Sequence, residues 1–147
     1  MTRAPRGFTL LELLIVVAII AIGTVGVGLA LRDSGQTALE TQGQALAAML
    51  ETARAQSRAS GVPVRWRAVP GGFAWDGLDN TGPEPMPTTW KHSGIQAHSE
   101  APVLLGPEPL IPAQSIRLWL SNQPQFSLTL ATDGVRPFSV RVVDTEP

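Results

Sequence analysis

From Phe8 to Leu31 the chain is aliphatic almost without interruption, and Glu12 is its only charged side chain. As an α-helix at 1.5 Å per residue, this run spans roughly 36 Å, enough for a hydrocarbon core of about 30 Å. The pattern therefore predicts a transmembrane helix over 8–31. From Thr37 to Ser60 the pattern changes. Leu39, Leu46 and Ala53 recur every seven residues, Gly43, Leu50 and Ser57 recur in step, and Met49 lies beside them. One apolar-to-small stripe on a polar helix predicts an amphipathic continuation over 32–61, with Glu40, Gln44, Glu51 and Arg58 facing water. The stripe is expected to pack on the chain's own sheet, with a partner helix as the alternative. Gly61 stands where a C-terminal helix glycine belongs, and Pro63 prevents continuation.

Beyond residue 62 the period becomes that of strands. Val62–Val69 alternates, Pro70-Gly71-Gly72 reads as a turn, and the stretch after it completes a hairpin. Short strands are expected around Trp90 and Ile95. The stretch 101–114 carries four prolines and predicts no regular element. Ile116, Leu118 and Leu120 alternate with Arg117 and Trp119. Phe126, Leu128 and Leu130 share one face of a strand, Asp133-Gly134 supplies a turn, and Phe138, Val140 and Val142 share a face on the return. The expected fold class is α+β: a long N-terminal helix, its first half transmembrane, packed on an antiparallel β-sheet or small sandwich.

Glu12 is the anomaly in the apolar run. A carboxylate deep in a membrane costs a few kcal/mol on insertion scales, less near the interface, and by default is functional and partnered. A secretory signal peptide has an apolar region of about 7–15 residues and an A-x-A-like cleavage site; this run is longer and lacks the site. Neither that reading nor a plain anchor accounts for Glu12; snorkelling to the interface is the bland alternative. Arg3 and Arg6 precede the run, whereas Arg32 and Asp33 cancel after it, so residues 1–7 are expected in the cytoplasm and the remainder outside. Gly23, Gly26 and Gly28 each weaken the helix by about 1 kcal/mol relative to Ala, which predicts a kink or soft stretch there.

Composition narrows the chemistry. Eleven Lys+Arg against 12 Asp+Glu give a formal charge of −1, with no basic excess for nucleic acid or anionic lipid. The mean hydropathy of +0.11 has its apolar excess at the N-terminus. With no Cys, disulfides, thiolate metal sites and a Cys nucleophile are excluded. Asp76, Asp79, Asn80 and Glu84 are oxygen donors without EF-hand spacing, and a solvated turn is the preferred reading over a Ca²⁺ site. His92 and His98 are too few for zinc. No Ser-His-Asp spacing, phosphate loop or HExxH motif occurs, so no catalytic residue, cofactor or metal is expected. Trp66, Trp75, Trp90 and Trp119 are read as core or sheet-face residues rather than a sugar platform.

The stretch RGFTLLELLIVVAIIAI, Arg6–Ile22, resembles the class III signal sequence of type IV pilins and type II secretion pseudopilins: a short basic leader, Gly, an aromatic residue, Thr-Leu, Glu, then an apolar run. Arg6, Gly7, Phe8, Thr9, Leu10 and Glu12 match without departure. The resemblance implies that a prepilin peptidase cuts between Gly7 and Phe8 on the cytoplasmic side and N-methylates the Phe8 amine. Gly7 has no side chain to obstruct a narrow active site. Loss of Arg3 and Arg6 takes the formal charge from −1 to −3. The Phe8 amine then becomes a candidate partner for Glu12, about 6 Å along the axis in one chain. In a fibre, the amine of an incoming subunit would meet Glu12 of its neighbour.

Leu46–Trp66 (LAAMLETARAQSRASGVPVRW) and Phe126–Val142 (FSLTLATDGVRPFSVRV) resemble the H-type minor pseudopilins, through an Ala-Arg-x-x-Ala/Ser helix end, a Gly-x-Pro-Val strand entry and a final strand-Asp-Gly-strand hairpin. Residues 70–115 carry no usable motif. Many type IV pilins close a C-terminal loop with a disulfide, and the lack of Cys favours a pseudopilin. The implied organisation is leader 1–7, transmembrane and assembly helix 8–31, helical continuation 32–61 and periplasmic β domain 62–147. The implied role is non-enzymatic: a single-pass inner-membrane subunit of a type II secretion pseudopilus. Its implied partners are prepilin peptidase, other pseudopilins in a hetero-oligomeric fibre, the inner-membrane assembly platform and the secreted substrate, with no nucleic acid. The alternatives are a minor pilin of a type IV pilus or DNA-uptake machine, and a secreted β-domain enzyme or binding module with an ordinary signal peptide.

Overall fold

The structure, a computed structural model, describes residues 10–144, with side chains for 10–22 and 34–142. The leader and the Gly7–Phe8 junction lie outside the described residues. Through Gly23–Gly28, where a kink or soft stretch is expected, the backbone continues as helix.

Among the described residues one helix, α1, covers Leu10–Ser60. The chain divides into two compact units, Met1–Gly35 and Gln36–Pro147. In the first, the described side chains present apolar groups to the surroundings: Leu10 is 81% exposed and Ile22 75%. Among the described residues no helix is long and apolar enough to cross a membrane; the side chains described over 10–22 span about 20 Å at 1.5 Å per residue.

In the second unit the stripe packs as its spacing predicts. Leu39, Gly43, Leu46, Leu50, Ala53 and Ser57 are all buried. Gly43 brings the helix backbone against the sheet, where a Cβ would stand 3.0 Å from Leu128 Cδ1. The helix ends as expected: Gly61 adopts φ +72°, and its N–H donates to the Ser57 carbonyl at 2.9 Å, satisfying an orphan acceptor of the last turn.

Among the described residues seven strands follow: β1 Arg65–Val69, β2 Gly72–Asp76, β3 Ile95–His98, β4 Val103–Leu104, β5 Gln114–Leu120, β6 Gln123–Thr132 and β7 Ser139–Asp144. They form two antiparallel sheets, ordered β2-β1-β4 and β3-β5-β6-β7. The fold is α+β and pilin-like, a helix on antiparallel sheets. The two sheets and α1 share one core, which includes Leu46, Leu50, Trp66, Phe73, Ile116 and Leu130.

Several expectations are refined. Trp90 lies outside the strands, and an isolated Gly72–Thr89 bridge replaces a strand there. The proline-rich stretch holds a two-residue strand, β4, because Val103 and Leu104 sit between prolines with both N–H groups intact. Phe138 precedes β7 rather than belonging to it; it is buried, and its N–H donates to Glu51 Oε1 at 3.0 Å. Val142 faces outward enough to be 50% exposed.

Candidate functional site

Glu12 occupies the first turn of α1 and its side chain is exposed. Leu10, Leu11, Leu13 and Leu14 around it are each at least 59% exposed. Burying such a set gains roughly 1.5–3 kcal/mol per side chain, so this segment calls for an apolar environment, lipid or protein. Gly7 and Phe8 lie outside the described residues.

In the β domain, residues singled out as possible ligands are engaged locally. Asp76 pairs with Arg67 at 3.0 Å. The hydroxyl of Thr81 donates to Asp79 at 2.6 Å and the Thr81 N–H at 3.1 Å, and these bonds hold the Asp79 carboxyl below the usual carboxylate range. Asn80 exchanges hydrogen bonds with the Met86 backbone, accepting at 2.5 Å and donating at 3.2 Å. These contacts fold 76–86 into a strapped loop. Among the described residues no group of three or more His, Cys, Asp or Glu could hold a metal ion. His92 lies in the loop before β3, and His98 ends β3 opposite Arg117.

Three of the tryptophans join an aromatic cluster. Phe73 stands 6.0 Å from Trp66, 5.8 Å from Trp75 in an edge-on contact and 4.7 Å from Trp90. Trp66 is fully buried, and Trp75 Nε1 donates to the Pro87 carbonyl at 2.8 Å. Trp119 is half-buried on β5. Two adjoining clefts of about 420 and 460 Å³ flank Glu100–Pro102. Their walls carry Arg67, His98, Gln114 and Thr132, and no residue of α1 lines either.

The sequence reading missed the polar groups buried on the stripe. Arg54 is 3% exposed; its Nη2 donates to the Gly134 carbonyl at 2.8 Å and to the Pro109 carbonyl at 3.3 Å. Glu51, expected to face water, accepts the Phe138 N–H and stands 3.8 Å from Arg54. Gln42 is buried and accepts the Lys91 N–H at 3.1 Å. The signal was in the spacing: Gln42 lies three residues after Leu39, and Arg54 four after Leu50, which places both on the buried face.

Residues 2–28 match the prokaryotic N-terminal methylation motif. The N-terminus of this chain thus carries the N-methylation motif of prepilin-like proteins, a structural class that takes in type IV pilins and pseudopilins. The motif implies processing by prepilin peptidase and assembly with other pilin-like subunits, and it is consistent with a membrane-anchored N-terminus. Neither the curated proteins nor the solved structures compared with the chain give a match.

Proposed function

We propose that this chain is a minor pseudopilin of a type II secretion system, a structural subunit of a periplasmic fibre that serves protein export. The observation that carries the reading is the methylation motif over residues 2–28, a span that includes Gly7, Phe8 and Glu12 and runs into a helix whose described apolar side chains are exposed. Cleavage after Gly7 leaves the apolar helix attached, so the processed chain stays anchored in the inner membrane with its β domain in the periplasm. Assembly moves that helix from lipid into a helical bundle. Within the bundle, Glu12 meets the methylated Phe8 amine of a neighbour. A paired carboxylate in a low-dielectric bundle costs much less than an unpaired one, so the pair sets the axial stagger between helices.

The same motif serves type IV pilins, which makes a minor pilin the second reading. A formal charge of −3 after processing supplies no electrostatic footprint for DNA uptake. A strain lacking the chain, complemented with the wild type or with Glu12→Leu, tests both points. The reading expects export to return with the wild type only, while the two proteins insert and lose the leader equally. Full export with Glu12→Leu contradicts the register role. Unimpaired export in the deletion strain, with surface pili or DNA uptake lost instead, moves the chain to the type IV system.

A further inference from the structure

The sheet β2-β1-β4 has β2 and β4 as its edges, and groups that belong to no strand of that sheet close both. At β4 the closing group is the Gln114 side chain, which bonds the Leu104 N–H and carbonyl. At β2 it is a loop. The Phe73 N–H donates to the Thr88 carbonyl at 2.9 Å, and Gly72 forms an isolated bridge with Thr89. Trp75 Nε1 donates to the Pro87 carbonyl at 2.8 Å. The loop is held in turn by the two bonds between Asn80 and the Met86 backbone, and by the Trp90 ring 4.7 Å from Phe73. A sheet edge with unpaired N–H and C=O groups is a template for another chain. β2 would be a strong one, because Gly72-Phe73-Ala74-Trp75 carries neither charge nor proline and only its last residue, Asp76, is charged. The loop cannot replace it as a template. Pro83, Pro85 and Pro87 have no N–H, so the loop accepts from β2 yet offers the next chain a broken row of donors.

We infer that residues 83–89 are an edge guard: they occupy the edge of β2 and so keep it from pairing, antiparallel, with β2 of a second copy of this chain. The inference is independent of the fibre reading. Gly72 is the residue that lets the guard close. The turn before β2 is made by Gly71, at φ +76°, whereas the φ of Gly72 lies outside the left-handed region. A Cβ at 72 would therefore suit the strand itself, but it would run into the Thr88 carbonyl. Glycine at this position serves the close approach of the guard's backbone.

The test uses the purified full chain in detergent micelles, with Ala74→Cys, in the middle of β2, supplying its one cysteine. Antiparallel pairing of two β2 strands about position 74 sets the two cysteines opposite each other, about 4.5–5.5 Å apart at Cα and within reach of a disulfide on mild oxidation. Adding Gly72→Ala is expected to lift the guard, read as faster hydrogen exchange at the Phe73 amide, and to raise the yield of dimer linked through 74 several-fold. The yield from Asn122→Cys, exposed in the β5–β6 turn, is expected to stay the same, which separates strand pairing from sharing a micelle. Trp75→Phe keeps the ring but loses the donor to Pro87; it is the milder second variant and is expected to move both readouts the same way by less. Faster exchange at Phe73 without more dimer through 74 overturns the proposal, as does an equal rise from 122. Unchanged exchange at Phe73 in both variants overturns it too, because these contacts would then not hold the guard.

Discussion

Arg54 is the residue on which the β domain's outer loops depend. Its guanidinium is buried with two carbonyl acceptors and Glu51 nearby, so truncation strands partners as well as removing bonds. Arg54→Met is expected to cost about 3 kcal/mol, read as a lower melting temperature, and Arg54→Lys to recover only part of it, because one ammonium cannot replace the planar fork. Full recovery with Lys would mean that charge alone matters. Asp133 adds a pH-dependent element to the same loop. Its carboxylate accepts the N–H groups of Arg136 at 2.7 Å and Val135 at 2.9 Å, which together with the Arg136 charge hold it below the usual carboxylate range. A depressed carboxyl contributes stability that is present above its unfolded value near 3.9 and lost as pH falls through the folded value. Melting followed from about pH 5 to about pH 2 should show a shallower decline for Asp133→Asn than for the wild type.

At the scale of elements, what was legible in the sequence was whatever a period could encode. The 3.6 period gave the helix face from Leu39 to Ser57, and alternation gave β5 and β6, because each buries one side against a shared core. The reading failed where tertiary contacts overrode local preference. β4 is two residues among prolines, held by pairing with Arg65 and Trp66 of β1. A side chain adds to that hold: Gln114 accepts the Leu104 N–H at 2.6 Å and donates to the Leu104 carbonyl at 2.9 Å, acting as a strand neighbour that joins the two sheets. No local pattern announces such a role for a glutamine. Gln114→Leu should remove both bonds, at about 1–3 kcal/mol, and speed hydrogen exchange at the Leu104 amide while leaving amides of the β6–β7 pair protected. Unchanged exchange at Leu104 would mean that β1 pairing alone holds β4.

For the whole molecule, the fold class and the N-terminal motif were both legible in the sequence, the first through periodicity and the second through a local pattern. A Gly-Phe junction, a Glu at fixed offset and an apolar run are local features, and they lie within the span, residues 2–28, that matches the methylation motif. The β domain offers no comparable motif over 70–115, and there the aromatic cluster and the strapped loop 76–86 emerged only in three dimensions. The account rests on the N-terminus being remade before assembly, so that a new amine can meet Glu12. Mass spectrometry of the N-terminal peptide, taken from chain extracted from cell membranes, tests this most directly. The account predicts a peptide that begins at Phe8 and carries one methyl group on its amine. A membrane-extracted chain that begins at Met1, or one cut beyond Gly28 and released from the membrane, would contradict it.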